Sequence, residues 1–160
     1  MATNLKSLAK DTAIYGVSSI FGRFLNYLLV PLYTATLSAA SGGYGVITNL
    51  YAWTALLLVI LTYGMETTFF RFANKVDEDA EKVYSTTLVS VGATALMFVA
   101  AVVGFLPGIS SALGYADHQS WVVSMAIIVA LDAFQAIPFA YLRYKKQPIK
   151  FAGLKLAFIF

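Results

Sequence analysis

Long runs of apolar residues, separated by short polar segments, make up most of this chain. Four runs cover residues 12–37, 44–70, 83–106 and 120–142, and a fifth covers residues 149–160. A transmembrane helix needs about 20 mostly apolar residues, because a helix rises about 1.5 Å per residue and the hydrocarbon of a bilayer is about 30 Å thick. The pattern predicts an all-α integral membrane protein with four complete transmembrane helices and a truncated fifth.

The segments between the runs contain residues that typically end helices. Residues 38–43 are Ser-Ala-Ala-Ser-Gly-Gly, Pro107 and Gly108 precede Gly114, and Pro148 follows Gln147. Such residues mark turns. We therefore expect helix ends at these three connectors.

The composition supports a membrane protein and excludes several other classes. Hydrophobic residues make up 59% of the chain and charged residues 12%, whereas a soluble domain has about 25% charged residues. The chain has no cysteine and a single histidine, His118, and it contains no common catalytic motif. We expect no enzyme activity, no cofactor, no metal site and no nucleic-acid partner.

The basic residues predict the orientation. Nine of the eleven Lys and Arg residues lie in three segments, residues 1–11, 71–82 and 143–150, whereas residues 38–43 and 107–119 have none. Because basic residues stay on the cytoplasmic side, the N-terminus is predicted to be cytoplasmic. Four of the basic residues are interpreted as anchors at the inner membrane interface: Arg71, Arg143, Lys145 and Lys146.

Arg23 lies near the middle of the first run, where a charge costs at least ~2.5–3.5 kcal/mol on insertion scales. At helical spacing it shares a polar stripe with Ser19 and Asn26, opposite an apolar face. One interpretation is a water-filled cationic cavity in which Arg23, Asn26 and Ser19 bind substrate. The other is a structural arginine paired with a carboxylate on a neighbouring helix.

Two carboxylates also lie within apolar runs. Glu66 is near the cytoplasmic end of the second run, and Asp132 is near the middle of the fourth with Gln135 one turn later. Glu66 is interpreted either as a partner of Arg23 or as a proton or cation site. Asp132 is interpreted either as an ion- or proton-coupling site or as a structural hydrogen-bonding group. Pro138 predicts a kink close to Asp132.

Four motifs resemble a known family. They are Phe21–Thr34 (FGRFLNYLLVPLYT), Tyr44–Val46, Gly64–Phe72 (GMETTFFRF), and Pro138–Arg143 (PFAYLR) followed by Lys145 and Lys146. In this order they are similar to the first, second and fourth helices of Wzx-type polysaccharide flippases. These belong to the multidrug/oligosaccharidyl-lipid/polysaccharide exporter superfamily.

The resemblance implies a transporter with two lobes around a central cavity, of which residues 1–160 form part of the N-terminal lobe. Such proteins move undecaprenyl-pyrophosphate-linked oligosaccharides across the bacterial cytoplasmic membrane by alternating access, for surface polysaccharide biosynthesis. Arg23 matches the first-helix arginine of the cavity, and Glu66 and Arg71 match a Glu-x-x-x-x-Arg pattern. The implied partners are the lipid-linked oligosaccharide, membrane lipids, a polysaccharide polymerase and glycosyltransferases. We expect the sequence as read to be an N-terminal fragment that is inactive alone.

Two alternatives remain at this point. A cation-coupled multidrug antiporter of the same superfamily would use Glu66 and Asp132 for coupling, with Arg23 structural. A small, non-transporting membrane scaffold protein would fold and oligomerise without further helices.

Overall fold

The computed structural model describes residues 5–36 and 43–158. Within the first helix, several side chains lie outside this description, among them those of Ser19, Arg23 and Asn26. Seven α-helices are present in the described ranges: α1 Leu5–Thr36, α2 Gly43–Thr62, α3 Met65–Ala73, α4 Ala80–Gly104, α5 Leu106–Ala112, α6 Gln119–Tyr144 and α7 Pro148–Ala157. A 3₁₀ turn, Ala116–His118, precedes α6. These ranges contain helices and turns but no strand.

Three segments among the described residues are long and apolar enough to cross a membrane. They are Gly43–Ala73, Ala80–Gly104 and Ala116–Tyr144, which correspond to the second, third and fourth predicted spans. The all-helical class is therefore confirmed, and three of the predicted spans are long and apolar enough to cross a membrane. The first predicted span is helical as α1, but it is not one of the three, so the number of four spans and the orientation stay predictions.

The second predicted span is not one continuous helix. Tyr63 and Gly64 have positive φ angles, of 31° and 72°, and they separate α2 from α3. Glycine populates this left-handed region without steric cost, since it has no Cβ. The 20 residues of α2 extend about 30 Å, which is enough to cross the hydrocarbon. A single crossing therefore does not require the nine residues of α3.

The connector between the third and fourth apolar runs, residues 107–119, is more helical than predicted. Pro107 and Gly108 lie in the first turns of α5 rather than in a loop, and proline is tolerated there because its missing N–H has no intrahelical acceptor. The helix ends at Ala112, and Gly114, two residues later, has a φ of 78°. The Tyr115 N–H donates to the Ser110 carbonyl at 2.7 Å and the Gly114 N–H to the Ser111 carbonyl at 3.1 Å, which is a Schellman motif.

A second Schellman motif ends α6, with a lysine in place of the usual glycine. Lys146 has φ 51°. Its N–H donates to the Arg143 carbonyl at 3.1 Å, and the Gln147 N–H donates to the Leu142 carbonyl at 3.0 Å. Pro148 then begins α7, so this connector ends and starts helices where the sequence predicts. Upstream of it, α6 continues through Pro138 as one helix.

The described structure divides into two compact units, which are treated separately. In the unit Thr48–Ala140, α4 and α6 pack against the end of α2 around a core of Leu61, Val91, Ala95, Met125, Val129, Ala130, Ala133 and Ile137. Small residues in this set allow the helix backbones to approach closely. In the other unit α1 packs against α7, and the rings of Tyr15 and Phe151 meet edge to face at 5.0 Å.

Candidate functional site

The most polar feature inside a membrane-spanning helix of the described structure is the pair formed by Asp132 and Gln135 on α6. The Gln135 Nε2 donates a hydrogen bond to the Asp132 Oδ1 at 2.6 Å. Both residues are half-buried, and they lie one helical turn apart, on the same face, as the sequence predicts. The donor partly satisfies a carboxylate that the hydrocarbon would otherwise leave unsolvated.

The carbonyl oxygen of the Gln135 side chain, unlike its nitrogen, lacks a hydrogen bond in the described structure. This oxygen, Oε1, is buried. Leaving a buried carbonyl oxygen unsatisfied costs about 1–3 kcal/mol. The Gln135 carbonyl oxygen can therefore accept a hydrogen bond from a donor that reaches it from outside the described side chains.

The neighbours of the pair on α6 are apolar. Ala133 and Ile137 are buried in the core, whereas Leu131 and Phe134 are 61% and 40% exposed. The polar pair thus lies at the edge of the core rather than inside it. In a bilayer such a position has to be covered by protein or water, because a carboxylate facing lipid is too costly. A site of this kind can hold a proton or a small cation.

The three predicted cavity residues, Ser19, Arg23 and Asn26, lie on α1. Their backbone is helical, so their spacing of four and three residues places them along one helix face. Their side chains are outside the described structure. The cavity role of these residues stays a prediction.

Glu66 and Arg71 both lie on α3, after the break in the second span. Glu66 is half-buried in the first turn and Arg71 is exposed in the last turn. These are the helix ends at which a negative and a positive charge interact favourably with the helix dipole.

The remaining basic anchors gather at the end of α6. Arg143 lies in the last turn, and Lys145 and Lys146 follow in the Schellman turn. The Lys145 Nζ is 5.3 Å from the centre of the Tyr141 ring, a cation–π distance. Cations are favourable at this helix end, which agrees with an anchoring role. The side of the membrane stays a prediction.

An aromatic cluster near α6 was only partly apparent from the sequence. The His118 imidazole stacks on the Trp121 indole with centres 4.1 Å apart and planes 8° apart, and Tyr115 lies 6.2 Å from the same indole. His118 is exposed. Its i, i+3 spacing from Trp121 at the start of a helix is the sequence signal for this ring contact.

Comparison with known proteins finds no matching family model, no matching curated protein and no matching solved structure.

Proposed function

We propose that this chain belongs to a membrane transporter that carries an undecaprenyl-pyrophosphate-linked oligosaccharide across a bacterial cytoplasmic membrane, in the manner of a Wzx-type flippase. The observation that supports transport most directly is the Asp132–Gln135 pair, joined at 2.6 Å within a helix apolar enough to cross a membrane. Intramembrane ionisable residues are costly and commonly mark a transport path.

The substrate class rests on Arg23 and on the flippase-like motifs around it. A guanidinium remains charged at any physiological pH, and its planar fork binds two phosphate oxygens at once. The helical backbone of α1 supports the idea that Ser19 and Asn26 share a face with Arg23, where their polar side chains would add hydrogen bonds to the same ligand.

The test is made in the bacterium that carries the gene, so that any further part of the protein is present. We expect Arg23→Ala to abolish surface polysaccharide while the amount of protein in the membrane is unchanged. Arg23→Lys should restore only part of the polysaccharide, because a lysine keeps the charge but loses the fork. Lys10→Ala removes one charge from an exposed position of the same helix and serves as the matched control. Normal polysaccharide with Arg23→Ala would refute the cavity role.

A cation-coupled multidrug antiporter is the second candidate, and the same Asp132–Gln135 pair favours it. It requires the carboxylate to gain and lose a proton or cation during each cycle. In everted membrane vesicles, such an antiporter would show dye efflux driven by a proton or sodium gradient, and Asp132→Asn would abolish that efflux. A flippase would show no gradient-driven efflux of these dyes, with or without the substitution.

A further inference from the structure

A groove of about 310 Å³ runs between α3 and the first turns of α4. Its walls come from one face of each helix and from the connector between them: Met65, Thr68 and Phe72 on α3, Glu78 on the connector, and Lys82, Val83, Thr86 and Thr87 on α4. The groove exists because the chain bends at Gly64, where φ is 72°, and α3 then packs against α4. Phe69 of α3 fixes this packing, since it is fully buried and its ring lies 6.4 Å from that of Tyr84.

The helix lengths lead us to expect the groove at a boundary of the hydrocarbon. The 20 residues of α2 already extend about 30 Å, the thickness of the hydrocarbon. The 25 residues of α4 extend about 37 Å, so one end reaches past the hydrocarbon. We assign the first turn to that end, because it contains the charged Glu81 and Lys82. At this depth the molecules that surround the protein are phospholipids, with their headgroups level with the connector and their acyl chains level with the helices.

Two opposite charges stand at the connector end of the groove. Glu78 and Lys82 are both exposed and both line it, and neither forms an ion pair within the described residues. The rest of the lining is mostly apolar, with Met65, Phe72 and Val83 as its hydrophobic side chains. This arrangement suits an amphiphile whose head carries one positive and one negative group and whose tail is a hydrocarbon chain.

The charges around the mouth disfavour an anionic lipid. The segment from Asp77 to Glu81 contains four carboxylates and no basic residue, and Asp79 caps α4 by accepting the Glu81 N–H at 2.9 Å. One further cation, Lys75, lies 4.4 Å from the centre of the Phe72 ring, so the mouth stays net acidic even with Lys82 counted. A headgroup with a net negative charge would be repelled by this segment. A headgroup that also has a primary ammonium can donate N–H bonds to Glu78, whereas a choline group has no N–H to donate.

We propose that the α3–α4 groove binds one phosphatidylethanolamine molecule, with its phosphate at Lys82, its ammonium at Glu78 and an acyl chain along Met65, Phe72 and Val83. This site is separate from the Asp132–Gln135 pair and does not depend on the proposed transport function.

The test is native mass spectrometry of the purified chain, titrated with phosphatidylethanolamine, phosphatidylcholine and phosphatidylglycerol of identical acyl chains. We expect the wild type to bind phosphatidylethanolamine about threefold more tightly than either of the others, the scale of one exposed charge contact. Glu78→Gln should remove this preference. Lys82→Gln should weaken binding of all three lipids, because all carry the phosphate.

Two control variants separate the site from general electrostatics. Asp77→Asn makes the same charge change one residue away, at a position that does not line the groove, and it should keep the preference. Thr86→Phe fills the groove and should weaken binding of every lipid while the helical circular dichroism is unchanged. Equal binding of the three lipids by the wild type would overturn the proposal, as would a preference that survives Glu78→Gln or is lost equally in Asp77→Asn.

Discussion

The two Schellman motifs provide a sharp test of how the chain ends its helices. In the first, the residue with positive φ is Gly114, at 78°; in the second it is Lys146, at 51°. An L-residue in this region costs about 1–2 kcal/mol, whereas glycine does not pay this cost but loses about 0.5–1 kcal/mol more in backbone entropy. The difference predicts that Lys146→Gly increases the free energy of unfolding by about 0.5–1 kcal/mol.

The first Schellman motif allows the opposite change, from glycine to a residue with a Cβ. A Cβ added at Gly114 would meet nothing within 4 Å, so Gly114→Ala has only a conformational cost, of about 1 kcal/mol. Lys146→Ala removes the charge but keeps the backbone strain, and it should leave stability nearly unchanged.

Thermal unfolding in detergent, followed by tryptophan fluorescence, measures these effects. A change of 1 kcal/mol corresponds to roughly 2–4 °C for a chain of this size, so Lys146→Gly should unfold about 1–4 °C higher than the wild type. If Lys146→Ala stabilised the protein as much as Lys146→Gly, the charge rather than the backbone would be responsible, and the reasoning would be refuted.

Three further predictions concern the spans. Gly64→Ala should lower the free energy of unfolding by about 1 kcal/mol because of its positive φ, whereas Gly45→Ala inside α2 should raise it by about 0.5–1 kcal/mol. A Cβ at either position would meet nothing within 4 Å, so steric clashes do not differ between the two. Equal shifts in melting temperature would contradict this account. Gly92→Ala should destabilise by about 1 kcal/mol in the same melts, because its Cβ would lie 3.2 Å from a phenylalanine ring of α6, and an unchanged melting temperature would mean that the exposed ring moves aside. Single cysteines introduced at Asp117 and Lys150 should react with an impermeant maleimide from opposite sides of the membrane, outside and inside respectively. The cysteine-free parent chain is the unlabelled control. Labelling of both cysteines from one side would refute the predicted topology.

The lengths of the apolar runs predicted the helical class and the second to fourth spans. The length of a span depends on bilayer thickness, and the length of an apolar run can be read directly from the sequence. These lengths did not predict the break at Gly64. The segment around it is as apolar as a continuous helix requires, and a single glycine within an apolar run is equally compatible with helix and turn.

The candidate site was predictable to different extents. Asp132 and Gln135 lie on one helix, so their spacing of three residues was enough to predict that they share a face and make contact. The groove lined by Glu78 and Lys82 was missed, because its existence depends on α3 folding back against α4 after the break. The αL conformation of Lys146 was also missed, since lysine gives no local signal for positive φ.

The bend at Gly64 also determines how the protein responds to bilayer thickness. As one straight helix, the 31 residues of Gly43–Ala73 would be about 46 Å long, which is far more than the hydrocarbon and would force a steep tilt. Ending α2 after 20 residues matches the apolar length to an ordinary membrane and leaves α3 at its surface. A thicker bilayer would draw the exposed Arg71 of α3 toward lipid, at a cost that rises with each ångström of hydrophobic mismatch. We therefore expect the protein to concentrate in the thinner regions of a membrane of mixed thickness.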